Sequence, residues 1–171
     1  EIAAASSNAT FVCGMSLGGA VALMLSDRSP VKGLILLAPA LYPRLGIKSR
    51  FLQVARLVTP TLFYHFAGWN GEVLQAMDYT RKTGRAIEIP VLAVQAGDDT
   101  HLSSKGLKFV RKHARHKDTD IQLLPEGSHV LTRGTARAQV YDLVTKFVER
   151  NSGGVQLAVV PEGTAAPTDP S

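Results

Sequence analysis

The sequence predicts an α/β fold in which a parallel sheet is flanked by helices. Four short runs are apolar and rich in β-prone residues, and none of them alternates cleanly with polar residues. Such runs are typical of strands that are covered on both faces, as in a parallel sheet. Helical spacing of apolar residues follows the first, third and fourth runs, as expected for strands joined by crossover helices. The four runs are residues 10–13, 34–38, 91–96 and 121–124.

The first run leads into residues 14–18, which read Gly-Met-Ser-Leu-Gly. The Gly-x-Ser-x-Gly pattern is that of a nucleophile elbow, in which a strand turns sharply into a helix with the serine at the apex. Such a turn calls for small residues two positions before and after the serine, because side chains there would collide with neighbouring backbone. The pair Gly18-Gly19 would also allow the helix to approach the strand closely. Ser16 is therefore a candidate nucleophile.

The second run is followed by a long segment, residues 41–89, for which we predict a small helical cap over the site. A connection of roughly fifty residues is much longer than usual between neighbouring elements of an α/β fold. The segment holds most of the aromatic residues, and residues 51–58 and 72–81 within it have a helical pattern. A helical excursion that merely packs on the core is the alternative.

The chain therefore divides into three predicted parts. Residues 1–40 and 90–150 form a partial α/β core, residues 41–89 form the cap, and residues 151–171 form a flexible tail. The tail is predicted because its glycines and prolines lie among alanine, threonine and valine without a periodic apolar pattern.

The third and fourth runs precede the acid and the base that a nucleophilic serine needs. Asp98 and Asp99 follow the third run, and His129 follows the fourth. The carboxyl ends of parallel strands lie at one edge of a sheet, so these residues are expected near Ser16. His129 is the candidate base. Only one of the two aspartates can face its imidazole, and we favour Asp99, with Asp98 left open.

The other four histidines are weaker candidates for the base. His101 lies very close in sequence to the two aspartates, and His113 and His116 lie in a basic helical run that is expected to face water. His65 falls in the predicted cap, where it could contact substrate. The histidines and carboxylates lack the paired spacing of metal ligands, so neither a metal site nor a cofactor is predicted.

Composition and charge exclude several other classes. The net charge is +5, but the basic residues around 105–117 are not interleaved with aromatics, so they indicate a hydrated helix face rather than a nucleic-acid site. No stretch approaches the roughly 20 apolar residues that span a bilayer. Cys13, the single cysteine, lies in an apolar run, which indicates a packing role. No signal peptide is recognised at residues 1–7, so a cytoplasmic location is expected.

These segments resemble the C-terminal part of an α/β-hydrolase of the esterase and monoacylglycerol-lipase type. The resemblance implies the C-terminal half of an α/β-hydrolase fold with a small helical cap, a Ser16 nucleophile and a His129 base. It favours Asp99 as the acid, and it leaves the backbone N–H of Leu17 as a donor to the oxyanion. It covers roughly residues 9–150 and is carried by residues 11–19, 31–40, 90–99 and 125–129.

The resemblance also predicts an unusual position for the elbow strand. In this family the elbow follows the fifth of eight strands, whereas here it follows the first, and no glycine-rich loop that could supply a second oxyanion donor precedes residue 10. The elbow strand is therefore expected to be an exposed edge of the sheet. Three explanations are that the sequence is a fragment, that a second chain or a second copy completes the sheet at this edge, or that the hydrolase is reduced.

The expected function is hydrolysis of a small-molecule carboxylic ester, and the aromatic cap indicates an apolar acyl group in that ester. The same triad would also serve a thioesterase or another acyl-transfer hydrolase. A non-catalytic binding or assembly module, or an inactive remnant that keeps the motif, is the third possibility. The sequence assigns no substrate-binding residues.

Overall fold

The central feature of the fold is a four-stranded, wholly parallel sheet in which the strands lie in chain order. The computed structural model describes residues 9–26, 30–44 and 69–153, with the side chains of 69–72 left out of that description. The strands are β1 Phe11–Met15, β2 Gly33–Leu37, β3 Val91–Ala96 and β4 Thr119–Leu124. The helices are α1 Leu17–Leu25, α2 Trp69–Thr83, α3 Lys105–His113 and α4 Arg137–Asn151.

All four predicted strands are present, and no end differs from its predicted position by more than two residues. The helices predicted after the first, third and fourth strands are present as α1, α3 and α4, and the helical pattern of residues 72–81 falls inside α2. The pattern of residues 51–58 and most of the predicted tail lie outside the described residues.

Helices cover both faces of the sheet, and β2 shows why its sequence has no polar alternation. Successive residues of a strand point to opposite faces. Leu34 and Leu36 are buried in a cluster with residues of α1 and α3, whereas Ile35 and Leu37 are buried in a cluster that includes Phe147 of α4. Every residue of β2 and of β3 is buried. The prediction of strands covered on both faces is therefore confirmed for the two inner strands.

The two outer strands are less covered, because each has a neighbour on one side only. β1 is an edge of the described sheet, as predicted, and Cys13 on it is exposed. The prediction that Cys13 packs in the interior was therefore wrong. Leu123 on β4 is 54% exposed and Val21 on α1 is 46% exposed, so two-sided burial does not extend to these elements. Pairing of the β1 edge with another chain stays a prediction.

Helix α2 packs against α1, and this contact places the end of the long segment beside the elbow helix. Thr80 Oγ1, which donates its proton to the carbonyl oxygen of Ala76 at 2.8 Å, lies 3.4 Å from Met24 Sδ of α1. Met77 of α2 is buried in the core. The assignment of residues 41–89 as a cap stays a prediction. Across the three described stretches of the chain, no helix is both long and apolar enough to cross a membrane.

The basic run covers the exposed face of α3 and continues into the residues after it. Leu107 and Val110 are buried against the sheet, while the basic side chains of this region are exposed to water. These exposed residues are Lys105, Lys108, Arg111, Lys112, Arg115 and Lys117.

Candidate active site

Ser16 occupies a strained turn between β1 and α1. Its backbone has φ 54° and ψ −122°, a conformation that glycine adopts readily and other residues avoid. The end of β2 and the residues after it hold the turn from both sides: the Ser16 N–H donates to Leu37 O at 2.9 Å, and the Ala40 N–H donates to Ser16 O at 2.8 Å. Strain of this kind costs about 1–3 kcal/mol and persists where surrounding structure enforces it. The turn therefore presents the serine side chain beyond the end of the sheet.

The glycines of the elbow have unequal roles. A Cβ on Gly14 would lie 2.2 Å from the carbonyl oxygen of Gly18, and a Cβ on Gly19 would lie 3.0 Å from Pro39 Cα. A Cβ on Gly18 would meet nothing within 4 Å. The prediction that small residues are needed on both sides of Ser16 is thus confirmed at Gly14 and wrong at Gly18. A side chain on Gly14 would collide with the backbone of Gly18, whereas a side chain on Gly18 would point into open space.

Three of the residues singled out from the sequence meet at one edge of the sheet. His129 Nε2 lies 2.9 Å from Ser16 Oγ, and His129 Nδ1 lies 2.9 Å from Asp99 Oδ2. An ionised carboxylate only accepts hydrogen bonds, so we assign the imidazole proton to Nδ1, which leaves Nε2 free to accept the serine proton. Ser16, Asp99 and His129 come from the loops after β1, β3 and β4, whose carboxyl ends share this edge.

Asp99, and not Asp98, is the aspartate that contacts His129. The Asp99 side chain is 1% exposed, while Asp98 faces solvent. Asp99 Oδ1 accepts hydrogen bonds from the backbone N–H groups of His101, at 2.8 Å, and of Leu102, at 3.0 Å. These bonds occupy one carboxylate oxygen and direct the other toward the imidazole.

The surroundings of Asp99 favour its ionised form. Burial alone would raise the pKa of Asp99, but hydrogen bonds from His129 and from the backbone N–H groups of Leu102 and His101 outweigh burial and hold that pKa below its ordinary value. The carboxylate is therefore charged at neutral pH and can balance a positive imidazolium at His129.

The lowered pKa of Asp99 predicts a pH-dependent contribution to folding stability. A group with a lower pKa in the folded state stabilises the fold above its unfolded pKa of about 3.9 and loses that contribution as the pH falls through the folded value. The difference in free energy of unfolding between the parent chain and Asp99→Asn is therefore expected to be largest at neutral pH and to decrease in acid. Urea unfolding at a series of pH values from neutral to acidic measures the difference. Asp98→Asn, at the exposed neighbour, is the matched control, and a difference for Asp99→Asn that stays constant with pH would contradict the prediction.

His101 is a residue of this site that the sequence analysis set aside. Its ring centroid lies 4.9 Å from that of His129, with the planes tilted by 34°, and its side chain is 70% exposed. The available signal was its position two residues after Asp99, within the turn that closes on that carboxylate. Asp99, His101 and His129 each offer a potential metal-ligand atom, and these atoms lie within 4.8 Å of one another.

The remaining histidines lie elsewhere. His113 and His116 were expected to face water, but both are half-buried. The ring of His113 stacks on Phe109 with the centroids 4.0 Å apart. His116 Nδ1 accepts a hydrogen bond from the backbone N–H of Asp118 at 3.1 Å. His65 lies outside the described residues.

Leu17 opens α1 directly after the serine. The first backbone N–H groups of a helix have no partner inside the helix, and the helix dipole places partial positive charge there. The position is thus suited to a negatively charged oxygen beside Ser16.

Comparison with known proteins shows the fold to which this arrangement belongs. No family model matches the chain, and no curated protein sequence matches it. A monoacylglycerol lipase from Paleococcus ferrophilus superposes with a TM-score of 0.56 at 19% identity over 80% of this chain and 68% of its own. A soluble variant of monoglyceride lipase from Saccharomyces cerevisiae superposes with a TM-score of 0.64 at 14% identity, over 84% of this chain and 62% of its own. The chain has the α/β-hydrolase fold.

Mouse alpha/beta hydrolase domain-containing protein 10 has the same fold, with a TM-score of 0.61 at 16% identity over 85% of this chain and 64% of its own. The chain thus spans 62–68% of the length of these three proteins. The α/β-hydrolase fold predicted from the sequence is confirmed, and the described sheet contributes four parallel strands to it.

Proposed function

We propose that the chain is a serine hydrolase of carboxylic esters, with Ser16 as nucleophile, His129 as general base and Asp99 as the acid that orients the base. The observation that carries the proposal is the pair of 2.9 Å contacts that joins the serine oxygen, the imidazole and the carboxylate in series. A serine hydroxyl is a weak nucleophile unless an oriented base removes its proton. Two of the similar structures carry the name of a lipase, which supports ester chemistry.

The first half of the proposed reaction forms an acyl-enzyme. Ser16 Oγ attacks the carbonyl carbon of the ester while His129 Nε2 takes the hydroxyl proton. The carbonyl oxygen becomes an oxyanion that accepts a hydrogen bond from the Leu17 N–H, and a donor of this type contributes about 10²–10³ in turnover. When the intermediate collapses, the bond from carbon to the alcohol oxygen breaks, and Nε2 returns its proton to the leaving alkoxide.

The second half releases the acid. A water molecule gives a proton to His129 Nε2 as its oxygen attacks the acyl carbon. Collapse of the second intermediate breaks the bond to Ser16 Oγ, which regains the proton from Nε2. Asp99 keeps the proton of the resting imidazole on Nδ1 and stabilises the imidazolium that forms in each half, so protein groups and water account for every step.

The proposed substrate is a small ester with an apolar acyl group. The support is the aromatic content of residues 41–89, most of which lies outside the described residues. The names of the two lipases point to esters of glycerol in those proteins. No acyl pocket is assigned, and thioesters are substrates that the same groups could cleave.

The nucleophile is tested by covalent labelling. A fluorophosphonate probe is expected to label the full chain on one serine, and mass spectrometry of peptides is expected to place the label on Ser16. Phosphonylation requires the activated serine oxygen, so Ser16→Ala is expected to remain unlabelled.

Ser26→Ala is the matched control, because Ser26 follows α1 and its hydroxyl donates to the carbonyl oxygen of Leu23 at 2.8 Å, away from His129. This variant is expected to label like the parent chain. Labelling that persists in Ser16→Ala, or a parent chain that hydrolyses esters without taking the label at Ser16, would refute the nucleophile assignment.

A further inference from the structure

The unassigned neighbour of the catalytic groups is His101. Its ring lies against the ring of His129, and His101 Nδ1 lies 4.0 Å from Asp99 Oδ1. With Asp99 and His129 it completes a set of two imidazoles and one carboxylate whose ligand atoms lie within 4.8 Å of one another. None of the steps proposed above uses His101.

We propose that Asp99, His101 and His129 bind a divalent transition-metal ion such as Zn²⁺, and that binding switches the catalytic triad off. Two imidazoles and a carboxylate, with a further position left for water, form a donor set that zinc accepts. The loss of catalysis rests on the proposed function, whereas the binding of the metal does not.

The geometry requires only small movements. A tetrahedral zinc ion with bonds of about 2.0–2.2 Å holds its ligand atoms about 3.4 Å apart. Asp99 Oδ1 already accepts two backbone hydrogen bonds, so Oδ2 is the oxygen available to a metal. The 2.9 Å contact between Oδ2 and His129 Nδ1 widens by a few tenths of an ångström when the ion takes the place of the bridging proton.

The third ligand has the most freedom to move. The side chain of His101 is 70% exposed, and Thr100 Oγ1 at 3.2 Å from its Nδ1 is an exposed partner that water can replace. The ring can therefore turn until one of its nitrogens faces the ion. The Arg44 side chain donates to the backbone carbonyl of Asp99, and this positive charge opposes the cation, so the affinity is expected to be moderate.

Metal binding inhibits through the tautomer of His129. Coordination uses the lone pair of Nδ1, so the ring proton moves through solvent to Nε2 and the imidazole stays neutral, with no proton gained or lost overall. Nε2 then donates to Ser16 Oγ and no longer accepts from it. The base is lost although Ser16, Asp99 and His129 move apart by no more than a few tenths of an ångström.

Zinc affinity tests the site without reference to catalysis. Competition with a chromophoric chelator measures Zn²⁺ binding to the full chain in a Cys13→Ser background, because the exposed thiol of Cys13 is itself a zinc ligand. His101→Phe keeps a ring beside His129 without a ligand atom. Loss of a partner outside the ligand set already costs about 10- to 100-fold in metal affinity, so we expect the loss of a ligand to lower the zinc affinity at least about 10-fold. His116→Gln, at a histidine away from the cluster, is expected to bind zinc like the parent.

Inhibition is measured as the ratio of ester turnover with and without Zn²⁺ for each variant, so differences in basal rate cancel. The parent chain is expected to lose activity at the zinc concentration that saturates the site and to regain it with a chelator. His101→Phe is expected to need at least about ten times more zinc for the same inhibition. His101→Gln is the second variant if the phenylalanine perturbs folding.

Ser16→Ala separates this inference from the proposed function, because it removes the nucleophile and leaves the three ligands in place. It is expected to bind zinc as the parent does. If the parent chain binds zinc through His101 but has no esterase activity, the proposed function is wrong and the metal site is supported. Zinc binding that is equal in the parent and in both His101 variants would overturn the metal site, whatever the chain does to esters.

Discussion

The Asp99→Asn variant is expected to hydrolyse a carboxylic ester about 10⁴-fold more slowly than the parent chain. The amide of asparagine can present its N–H group to His129 Nδ1, which favours the imidazole tautomer that carries its proton on Nε2. That tautomer cannot accept the proton of Ser16 Oγ. Because the triad geometry can persist, we expect the loss in kcat and not in KM. Steady-state kinetics with a soluble chromogenic ester measure both constants.

Asp98→Asn is the matched control for this prediction. Asp98 is exposed and adjacent to Asp99, so the two substitutions make the same chemical change one residue apart. The control is expected to keep the kcat of the parent chain. Equal losses in the two variants, or a larger loss at Asp98, would contradict the assignment of Asp99 as the orienting acid.

The second large effect is expected at the elbow. Gly14→Ala places a Cβ 2.2 Å from the carbonyl oxygen of Gly18, a backbone atom that cannot move aside cheaply. We expect the variant to lose about 3 kcal/mol of unfolding free energy, because overpacking against backbone forces β1 and α1 apart. Urea unfolding followed by circular dichroism measures this loss.

Gly18→Ala provides the contrasting variant within the same motif. Its Cβ would meet nothing within 4 Å, and Gly18 lies inside α1 without a positive φ. Alanine in a helix is favoured over glycine by about 0.5–1 kcal/mol, so this variant is expected to be as stable as the parent chain or more stable. Equal destabilisation at both glycines would show that the elbow is crowded in a way that the structure does not describe.

Much of the fold was predictable because strands that are buried on both faces have uninterrupted apolar sequences. β2 and β3 are covered on both faces, and their unbroken apolar runs indicated this. The order of the strands within the sheet cannot be predicted from the apolar pattern in this way. The exposure of Cys13 follows from the edge position of β1, which the apolar run containing it could not reveal and only the family resemblance suggested.

The loops that form the candidate site could be predicted from the sequence, but the directions of their side chains were harder to predict. Ser16 and His129 each follow a predicted strand, and parallel strands bring such loops to one edge. The choice between Asp98 and Asp99 depends on a turn in which two backbone N–H groups bind one carboxylate oxygen. The position of His101 against His129 depends on the same turn. Asp99 was already favoured from the sequence, and it contacts His129. The contact of His101 with His129 was not expected, because the direction of its side chain is set by this turn.

The backbone conformation at Ser16 favours a residue other than the one that the proposed reaction requires. At φ 54° and ψ −122° this position suits glycine, and any other residue raises the energy of the native state. The residue that would best fit the turn has no hydroxyl, and the residue that can attack a carbonyl fits the turn poorly. A search for stabilising substitutions would thus select glycine at the position where, in the proposed mechanism, it would end catalysis. The hydrogen bonds from the end of β2 to the elbow help to hold serine there.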